Sequence, residues 1–309
     1  MPPSLCDAIL HPFAARGVGI KHYALDGNLG TVPSALEDVV DSTVRAVYVI
    51  HYYGFPSAME PLRKFAENRG LLLIEDCALA LGGEQDGTPL GMWGNAAIFS
   101  LRKFLPCLDG GLLRSTIDGT EPADAVSRRW EEARNRLRRL LQRSPVPKFL
   151  KQRMAIGPDS VWNTDKPPLY EPQSTLGDSR ISRSSLTHLG RLDLRHLRLE
   201  RRWRYERYAR VLATSAFVRP LFPTLPKGVS PFSFPVICEN RPVAVARLLE
   251  AGIAAEPSHN HPYYDFPGLV NSQRRFPDQE ALWRSLLSLP IHQCVPEATI
   301  NRALEVLSR

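Results

Sequence analysis

Short β-prone runs that alternate with helical segments dominate the first third of the chain and constrain its fold more than any other feature. The continuous β-prone run over 45–50 predicts a buried strand, and a helix follows that ends at Gly70. Further strands are predicted over 71–74, 96–100 and 111–113. Because helices between successive strands favour parallel pairing, this order predicts an α/β fold with a mostly parallel, helix-covered sheet.

The second half of the chain has a different pattern. In the first half, two capping boxes, at 34–37 and 57–60, predict helix starts. Later elements are predicted as a long helix over 185–212, a strand over 232–237, a helix over 243–251 and a terminal helix over 296–307. We therefore predict a large α/β domain over 1–120, a basic helix and irregular connection over 121–184, and a small α+β domain over 185–309. Within the connection, 144–178 is rich in Pro and Gly.

Composition excludes several classes of protein. The chain has 309 residues, of which 43% are hydrophobic, so a globular core is expected. Apolar runs long enough to span a membrane are missing from the sequence, and its first residues do not resemble a signal peptide. Five cysteines without a CxxC pair argue against a disulfide framework or a zinc ribbon, and they fit a reducing cytoplasm.

Positive charge is concentrated after residue 120. Residues 1–120 contain 9 Lys/Arg and 13 Asp/Glu, whereas the remainder contains 30 and 19, and the excess lies mainly in 128–153 and 191–210. One interpretation is a phosphate-rich partner, either nucleic acid or a nucleotide-linked substrate. The other, which we favour, is two solvated helix faces whose Arg stems cover apolar surface. No zinc-finger spacing or RNP-type strand accompanies the charge.

Two predicted strands end in residues that suit a cofactor site. One strand leads into Glu75 and Asp76, and a later one leads through Ser100 to Lys103. Ligands of parallel sheets bind beyond the carboxyl ends of the strands. A lysine there could hold pyridoxal phosphate (PLP) as a Schiff base, while a carboxylate keeps the pyridine nitrogen protonated. A strand-end acid that only caps or pairs, and a surface lysine, are the alternatives.

The surrounding motifs strengthen the PLP interpretation. The chain resembles the DegT/DnrJ/EryC1/StrS aminotransferases in AVYVIHYYG (46–54), LIEDCA (73–78), FSLRK (99–103), DGG (109–111), RISR (180–183) and SLPIH (288–292). The resemblance covers nearly the whole chain apart from about 121–178. It implies a fold-type-I PLP-transferase fold, a homodimer, and transfer of an amino group, with glutamate as the donor, to a nucleotide-linked keto-sugar.

Residue roles follow from the same resemblance. Asp76 would pair with the pyridine nitrogen, and Ala78 would pack on the ring face. Lys103 would be the Schiff-base lysine and the proton shuttle, although it lies closer to Ser100 than in most family members. Ser100 would donate to the cofactor phosphate. His51 is expected to be structural.

Several positions depart from the family pattern. No Ser-Ser-Gly-Thr-like phosphate turn is found, and the match begins only near Pro3, which leads us to expect a sheet without one interior strand. Leu79 replaces the Gln or His that contacts the ring oxygen, and neither Leu5 nor Cys6 supplies the usual stacking ring. The Asn that usually reaches a neighbouring subunit's phosphate is not evident around Ile181.

Three hypotheses therefore remain open: an active aminotransferase, a non-catalytic or truncated homologue that acts as an interaction partner, and a basic nucleic-acid-binding protein. A metal site is not expected. His259 and His261 lack a matched third ligand and are interpreted as part of a substrate-side loop.

Overall fold

The structure is a computed structural model that describes residues 1–107, 109–119, 181–253, 255–257, 261–262 and 274–308. The predicted basic helix over 128–153, the irregular stretch over 144–178, Arg180 and His259 lie outside the described residues. Among the residues that are described, no helix is both long and apolar enough to cross a membrane.

The first half alternates strands and helices as predicted. Its elements are β1 (Ser4–Leu5), α1 (Asp7–Ala14), α2 (Pro33–Glu37), β2 (Ala46–Ile50), α3 (Met59–Asn68), β3 (Leu72–Asp76), β4 (Glu84–Gln85), β5 (Thr88–Pro89), β6 (Ala96–Ser100) and β7 (Gly111–Ser115). A 3-10 turn, Leu101–Lys103, follows β6 directly.

Four of these strands form the central sheet, in the order β2-β3-β6-β7. β2, β3 and β6 are parallel, whereas β7 is antiparallel to β6. The prediction of a mostly parallel sheet is confirmed. The register aligns Ile50, Asp76 and Ile98 across the three parallel strands, so their carboxyl ends meet at one edge of the sheet.

The two predicted capping boxes are wrong. α2 begins at Pro33 after Val32, and α3 begins at Met59 after Ala58, with no side-chain cap at either start. The Ser57 hydroxyl instead accepts a hydrogen bond from the backbone N–H of Thr31, 3.0 Å away. A long-range partner has therefore replaced the local cap.

The second half contains α4 (Arg183–Gly190), α5 (Leu194–Leu212), β8 (Val218–Pro220), β9 (Phe234–Cys238), α6 (Arg241–Glu250), β10 (Glu256–Pro257), β11 (His261–Pro262), α7 (Pro277–Ser285), β12 (Leu286–Leu289) and α8 (Glu297–Ser308). β10, β12, β9 and β8 form an antiparallel sheet in that order, and β11 pairs with β1.

The single long helix predicted over 185–212 is wrong, because the structure has two helices there. α4 ends at Gly190, and α5 begins at Leu194 with Asp193 as its N-cap. The Asp193 carboxylate accepts from the backbone N–H of His196 at 3.0 Å. This cap satisfies a free N–H group and favours a new helix start over continuation.

One hydrophobic cluster joins the two halves of the chain. Val49 of β2 and Leu10 of α1 belong to the same buried cluster as Tyr205 of α5, Phe234 of β9 and Leu304 of α8. The boundaries of the predicted domains stay a prediction. The shared core means that elements of the second half can support the carboxyl edge of the first sheet.

The arginines of α5 are used largely inside the protein. Arg202 donates to the carbonyl oxygens of Pro226 and Val229, and Arg204 donates to those of His292 and Val295. Two others pair with carboxylates, Arg198 with Glu84 and Arg207 with Glu297. These contacts account for much of the second basic stretch without a phosphate-rich partner.

β2 forms one edge of the central sheet within the described residues, and a cavity of about 780 Å³ lies beside it. Phe13, Tyr23 and Val47 are among its lining residues. The Met1 amino group donates to the Lys21 carbonyl oxygen at 3.0 Å, and burial lowers the pKa of this amine to about 5. The expectation of a sheet without one interior strand stays a prediction.

Gly54 lies where the chain turns after β2. Its φ is +91°, and a Cβ atom there would overlap the carbonyl oxygen of Ser230 and lie 2.9 Å from that of Leu79. We expect Gly54→Ala to lower the free energy of unfolding by about 1–2 kcal/mol for the left-handed backbone and by about 1–3 kcal/mol more for the overlap. Urea unfolding followed by circular dichroism measures this loss.

Gly70→Ala is the matched control for that substitution. Gly70 also has positive φ, +62°, but no atom lies within 4 Å of the position of its Cβ. We expect it to show the backbone penalty alone. Equal losses in the two variants would contradict the steric argument for Gly54.

Candidate active site

Asp76 is the last residue of β3 and lies at the carboxyl edge of the central sheet. Its side chain is buried, with 5% of its surface exposed. One carboxylate oxygen accepts from the backbone N–H of Ala78 at 2.9 Å, and the other accepts from the Tyr48 hydroxyl at 2.8 Å. The carboxylate is therefore held in one orientation by a strand-end turn and by a side chain of β2.

Tyr48 was not identified from the sequence, where it appears only as one member of an apolar strand. Burial, and next the negative charge of Asp76, hold the pKa of the Tyr48 phenol well above its usual value. The phenol therefore stays protonated and donates to Asp76. Strand pairing sets the register that places Tyr48 opposite Ile74, two residues before the pair of Ile50 and Asp76.

Lys103 ends the 3-10 turn that follows β6. Burial lowers the pKa of its amine below the usual value, and the negative charge of Asp76 opposes this shift. Cys6 also raises the pKa of Lys103, whereas the neighbouring Arg102 lowers it. Within the described part of the chain, the Lys103 amine has no ion-pair partner. Asp76 is thus near enough to Lys103 to influence its amine, and the predicted roles of the two residues stay predictions.

Ser100 and Ala78 flank these two residues. Ser100 is the last residue of β6, is partly exposed, and pairs through its backbone with Gly111. Its hydroxyl does not cap the 3-10 turn. Ala78 is partly buried, and its N–H is used by Asp76. Their predicted roles, at the cofactor phosphate and ring face, stay predictions.

Glu75, adjacent to Asp76, is named at the strand end in the sequence but is given no role there. It is fully buried, and its carboxylate accepts from the backbone N–H groups of Gly91, Trp93 and Gly94 at 2.7–2.8 Å. His51 lies 3.2 Å away. Burial acts to raise the pKa of Glu75, but the hydrogen bonds from His51 and the backbone outweigh it and leave the pKa below its usual value.

A buried cluster has the spacing of a metal site, because the possible ligand atoms of His51, Glu75 and Cys77 lie within 4.8 Å of one another. The oxygens of Glu75 already accept three backbone hydrogen bonds and contact His51. We therefore interpret this cluster as structural support beneath Asp76, in agreement with the structural role expected for His51.

Two of the departures from the family pattern lie at this edge of the sheet. Leu79 is partly buried after β3, and its side chain has no hydrogen-bonding atom. Its carbonyl oxygen lies close to Gly54. Cys6 precedes α1 and lies near enough to Lys103 to influence the pKa of its amine. The segment expected to supply a stacking ring is thus near Lys103 but presents a thiol.

Comparison with known proteins shows which sequences and folds this chain resembles. A model of the DegT/DnrJ/EryC1/StrS aminotransferase family matches residues 24–125. L-glutamine:scyllo-inosose aminotransferase of Streptomyces griseus is 38% identical over 116 residues, which cover 37% of this chain and 26% of that protein. dTDP-4-dehydro-2,3,6-trideoxy-D-glucose 4-aminotransferase of Saccharopolyspora spinosa is 29% identical over 300 residues, which cover 93% of this chain and 72% of that protein.

Solved structures show the same fold. The sugar aminotransferase CalS13 from Micromonospora echinospora superposes with a TM-score of 0.68 at 20% identity, covering 99% of this chain and 78% of that one. The predicted fold-type-I architecture is therefore confirmed. The chain spans only about a quarter of the first curated relative it matches, at 26% of its length.

Proposed function

We propose that this chain, which belongs to the DegT/DnrJ/EryC1/StrS aminotransferase family, is a PLP-dependent aminotransferase that transfers an amino group from glutamate to a nucleotide-linked keto-sugar. The observation that carries the proposal is the placement of Lys103 in the field of the buried Asp76 at the carboxyl edge of the sheet. The relatives support the reaction class, since two of them are named as aminotransferases of an inosose and of a dTDP-linked dehydro-sugar.

The residues at the carboxyl edge of the central sheet fit PLP at two positions, the ring nitrogen and the aldehyde carbon. Each oxygen of Asp76 accepts one hydrogen bond here and has capacity for another, which a protonated ring nitrogen could use. The Lys103 amine, whose pKa is lowered by burial, has the larger neutral fraction that a nucleophilic lysine needs. Leu79 gives no hydrogen bond to the ring oxygen, so the fit is weaker there.

PLP, when bound, supplies an electron sink for the carbanion that forms at the amino donor. Asp76 would keep the ring nitrogen protonated, and Tyr48 would keep the Asp76 carboxylate oriented. Ser100 would donate its hydroxyl hydrogen to the phosphate, and Ala78 would contact the ring face. Lys103 Nζ would accept a proton from the α-carbon of the amino donor and deliver it to the cofactor carbon that is bonded to the transferred nitrogen. A homodimer is part of the proposal.

The test is direct. We would add PLP to the purified chain, record the visible spectrum, reduce with borohydride, and locate the added mass by peptide mass spectrometry. A visible absorption band, together with the mass of reduced PLP attached to Lys103, supports the proposal. Amino transfer is then assayed with L-glutamate and L-glutamine against a dTDP-linked keto-sugar and an inosose. A chain without the band and without transfer would overturn the proposal.

A non-catalytic homologue that acts as an interaction partner is the second candidate, and Leu79 and Cys6 favour it. It predicts the same folded chain with no mass fixed on Lys103. Nucleic-acid binding has less support, because many α5 arginines are engaged within the protein. Binding that falls steeply with salt would be required to revive it.

Asp76→Asn isolates the role of the carboxylate. Asn keeps the size of the side chain but loses its charge, so we expect PLP retention to weaken about 10- to 100-fold, the equivalent of the roughly 1.5–3 kcal/mol typical of a hydrogen bond to a charged group. Equilibrium dialysis against PLP measures the change. Asp86→Asn, at an exposed turn, is the control and should leave retention unchanged. Equal retention in both variants would contradict the role given to Asp76.

A further inference from the structure

We propose that Arg201 and Gln293 are positioning residues that fix the turn carrying Lys103 from the second half of the chain. This inference deepens the proposed function and rests on it for its catalytic meaning. The contacts themselves belong to the folded chain and can be tested without cofactor.

The two residues contact consecutive carbonyl groups of that turn. Gln293 Nε2 donates to the carbonyl oxygen of Phe104 at 2.6 Å, and an Arg201 NH2 group lies 3.4 Å from that of Lys103. Arg201 Nε also donates to Gln293 Oε1 at 3.2 Å, so the two side chains form one unit. The Arg201 guanidinium lies over the Phe104 ring, 4.5 Å from its centroid.

His292 adds a third contact to the same turn. Its Nδ1 accepts from the backbone N–H of Cys294 at 3.2 Å, so Nε2 carries the hydrogen and donates to the Phe104 carbonyl oxygen at 3.1 Å. Burial, and next the positive charge of Arg201, lower the pKa of His292 to about 4. The ring is therefore neutral at pH 7, as this hydrogen-bond pattern requires.

Burial of the charged Arg201 side chain is unfavourable in free energy, and a purely structural role does not require it. It is fully buried, and burial lowers its pKa to about 9. Its other donors contact the carbonyl oxygens of Pro231 and Phe232 at 3.2 and 2.9 Å, and within the described residues no carboxylate pairs with it. A buried charge without a countercharge is costly, and a well-packed apolar side chain often serves structure better. Its forked donors do, however, fix several carbonyl groups at once.

Holding the carbonyl groups of Lys103 and Phe104 in place fixes the backbone from which the Lys103 side chain extends. Burial is the largest influence on its amine, and the charged or titratable groups that act on it are Asp76, Cys6 and Arg102. If the turn were released, the amine would become more solvated. Its pKa would then rise toward the usual value of 10.5.

The experiment uses the full, cofactor-free chain in competitive acetylation with acetic anhydride over a range of pH, with Lys103 and the exposed Lys64 quantified by mass spectrometry. The variants are Arg201→Lys, which keeps the charge but loses the fork, and Gln293→Leu. Arg202→Lys is the matched control, because Arg202 also donates to backbone carbonyls from α5, but at Leu225, Pro226 and Val229.

We expect the midpoint of Lys103 acetylation to rise in Arg201→Lys and in Gln293→Leu, because a more solvated amine holds its proton more tightly. It should stay unchanged in Arg202→Lys, and Lys64 should not move in any variant. Unchanged midpoints in the folded variants, or an equal shift in the control, would overturn the proposal. Unfolding of both variants would assign the pair a structural role only, which also overturns it.

The proposed function can fail separately. If the parent chain does not retain PLP while the Lys103 midpoint still responds to Arg201 and Gln293, the positioning contact stands without the catalytic role. If PLP is retained on Lys103 and the midpoints do not respond, the function stands and the positioning role is wrong.

Discussion

Lys103→Ala is expected to abolish covalent retention of PLP and to reduce amino transfer by about a thousandfold or more, since a positioned proton-transfer group alone contributes about 10²–10⁴-fold. Loss of the amine removes both the attachment point for the aldehyde and the group that would move the proton. The fold should tolerate the change, because no ion pair of Lys103 is lost within the described residues and because burial already disfavours its charge. Borohydride reduction followed by peptide mass spectrometry measures retention.

Lys64→Ala is the control for non-specific reaction of PLP with lysines. Lys64 is 65% exposed and pairs with Glu60 on the surface of α3. Its loss should leave the mass fixed on Lys103 intact. Retention of the visible band in the Lys103 variant would show that another lysine reacts, and the proposed function would lose its central residue. Normal amino transfer in that variant would overturn it outright.

The substitution also separates the two leading candidates. A non-catalytic homologue predicts that the parent and the Lys103 variant behave alike toward PLP, whereas the aminotransferase predicts a difference confined to one residue. Leu79 and Cys6 favour the non-catalytic homologue, but they alter only contacts to the ring and leave Asp76 and Lys103 in place, so the substitution is needed to decide.

The strands of the central sheet could be predicted because their signals are local. An apolar run that is buried on both faces, such as β2, has few other places in a fold. Gly70 stops α3 with its positive φ, and Asp76 ends β3 as the chain reaches the carboxyl edge. Since parallel strands deliver their ends to one edge, the position of Asp76 and of the turn that carries Lys103 at that edge follows from topology alone.

The contacts that orient the site could not be predicted, because they depend on register and on long-range packing. Tyr48 reaches Asp76 only through the pairing of β2 with β3, and 28 residues separate them in sequence. Ser57 was expected to cap a helix, but the Thr31 N–H competes for its hydroxyl. Likewise, the excess of arginine in α5 could be read as a binding surface until the structure placed its guanidinium groups on backbone carbonyls.

Glu75→Ala is expected to have the largest effect on stability, because Glu75 is the buried acceptor for three backbone N–H groups. Leaving one buried donor without an acceptor costs about 1–3 kcal/mol, and here several donors lose their acceptor at once. Here the partners are the loop at 91–94 and His51. Urea unfolding followed by circular dichroism measures the loss. Glu67→Ala, at an exposed surface pair of α3, should change stability by less than about 1 kcal/mol.

The pH dependence of stability gives an independent check on Glu75. Its folded-state pKa lies below the value of 4.5 expected for an unfolded chain, so ionisation of Glu75 stabilises the fold above that pH. This contribution is lost as pH falls through the folded-state pKa. The parent should therefore lose stability on acidification below about pH 4.5 more steeply than Glu75→Ala does. Parallel curves for the two proteins would contradict the ionised state given to Glu75.

The two substitutions should also differ in how they affect the site. Lys103→Ala removes PLP retention from a chain that is still folded, so its unfolding midpoint stays near that of the parent. Glu75→Ala acts first on the fold, because Glu75, which is next to Asp76 in sequence, holds the loop at 91–94 through hydrogen bonds. Its PLP retention should fall only in proportion to the unfolded fraction and return when the chain is stabilised by cooling or by an excluded osmolyte. A fully folded Glu75→Ala protein that cannot retain PLP would show that Glu75 also holds Asp76 in position.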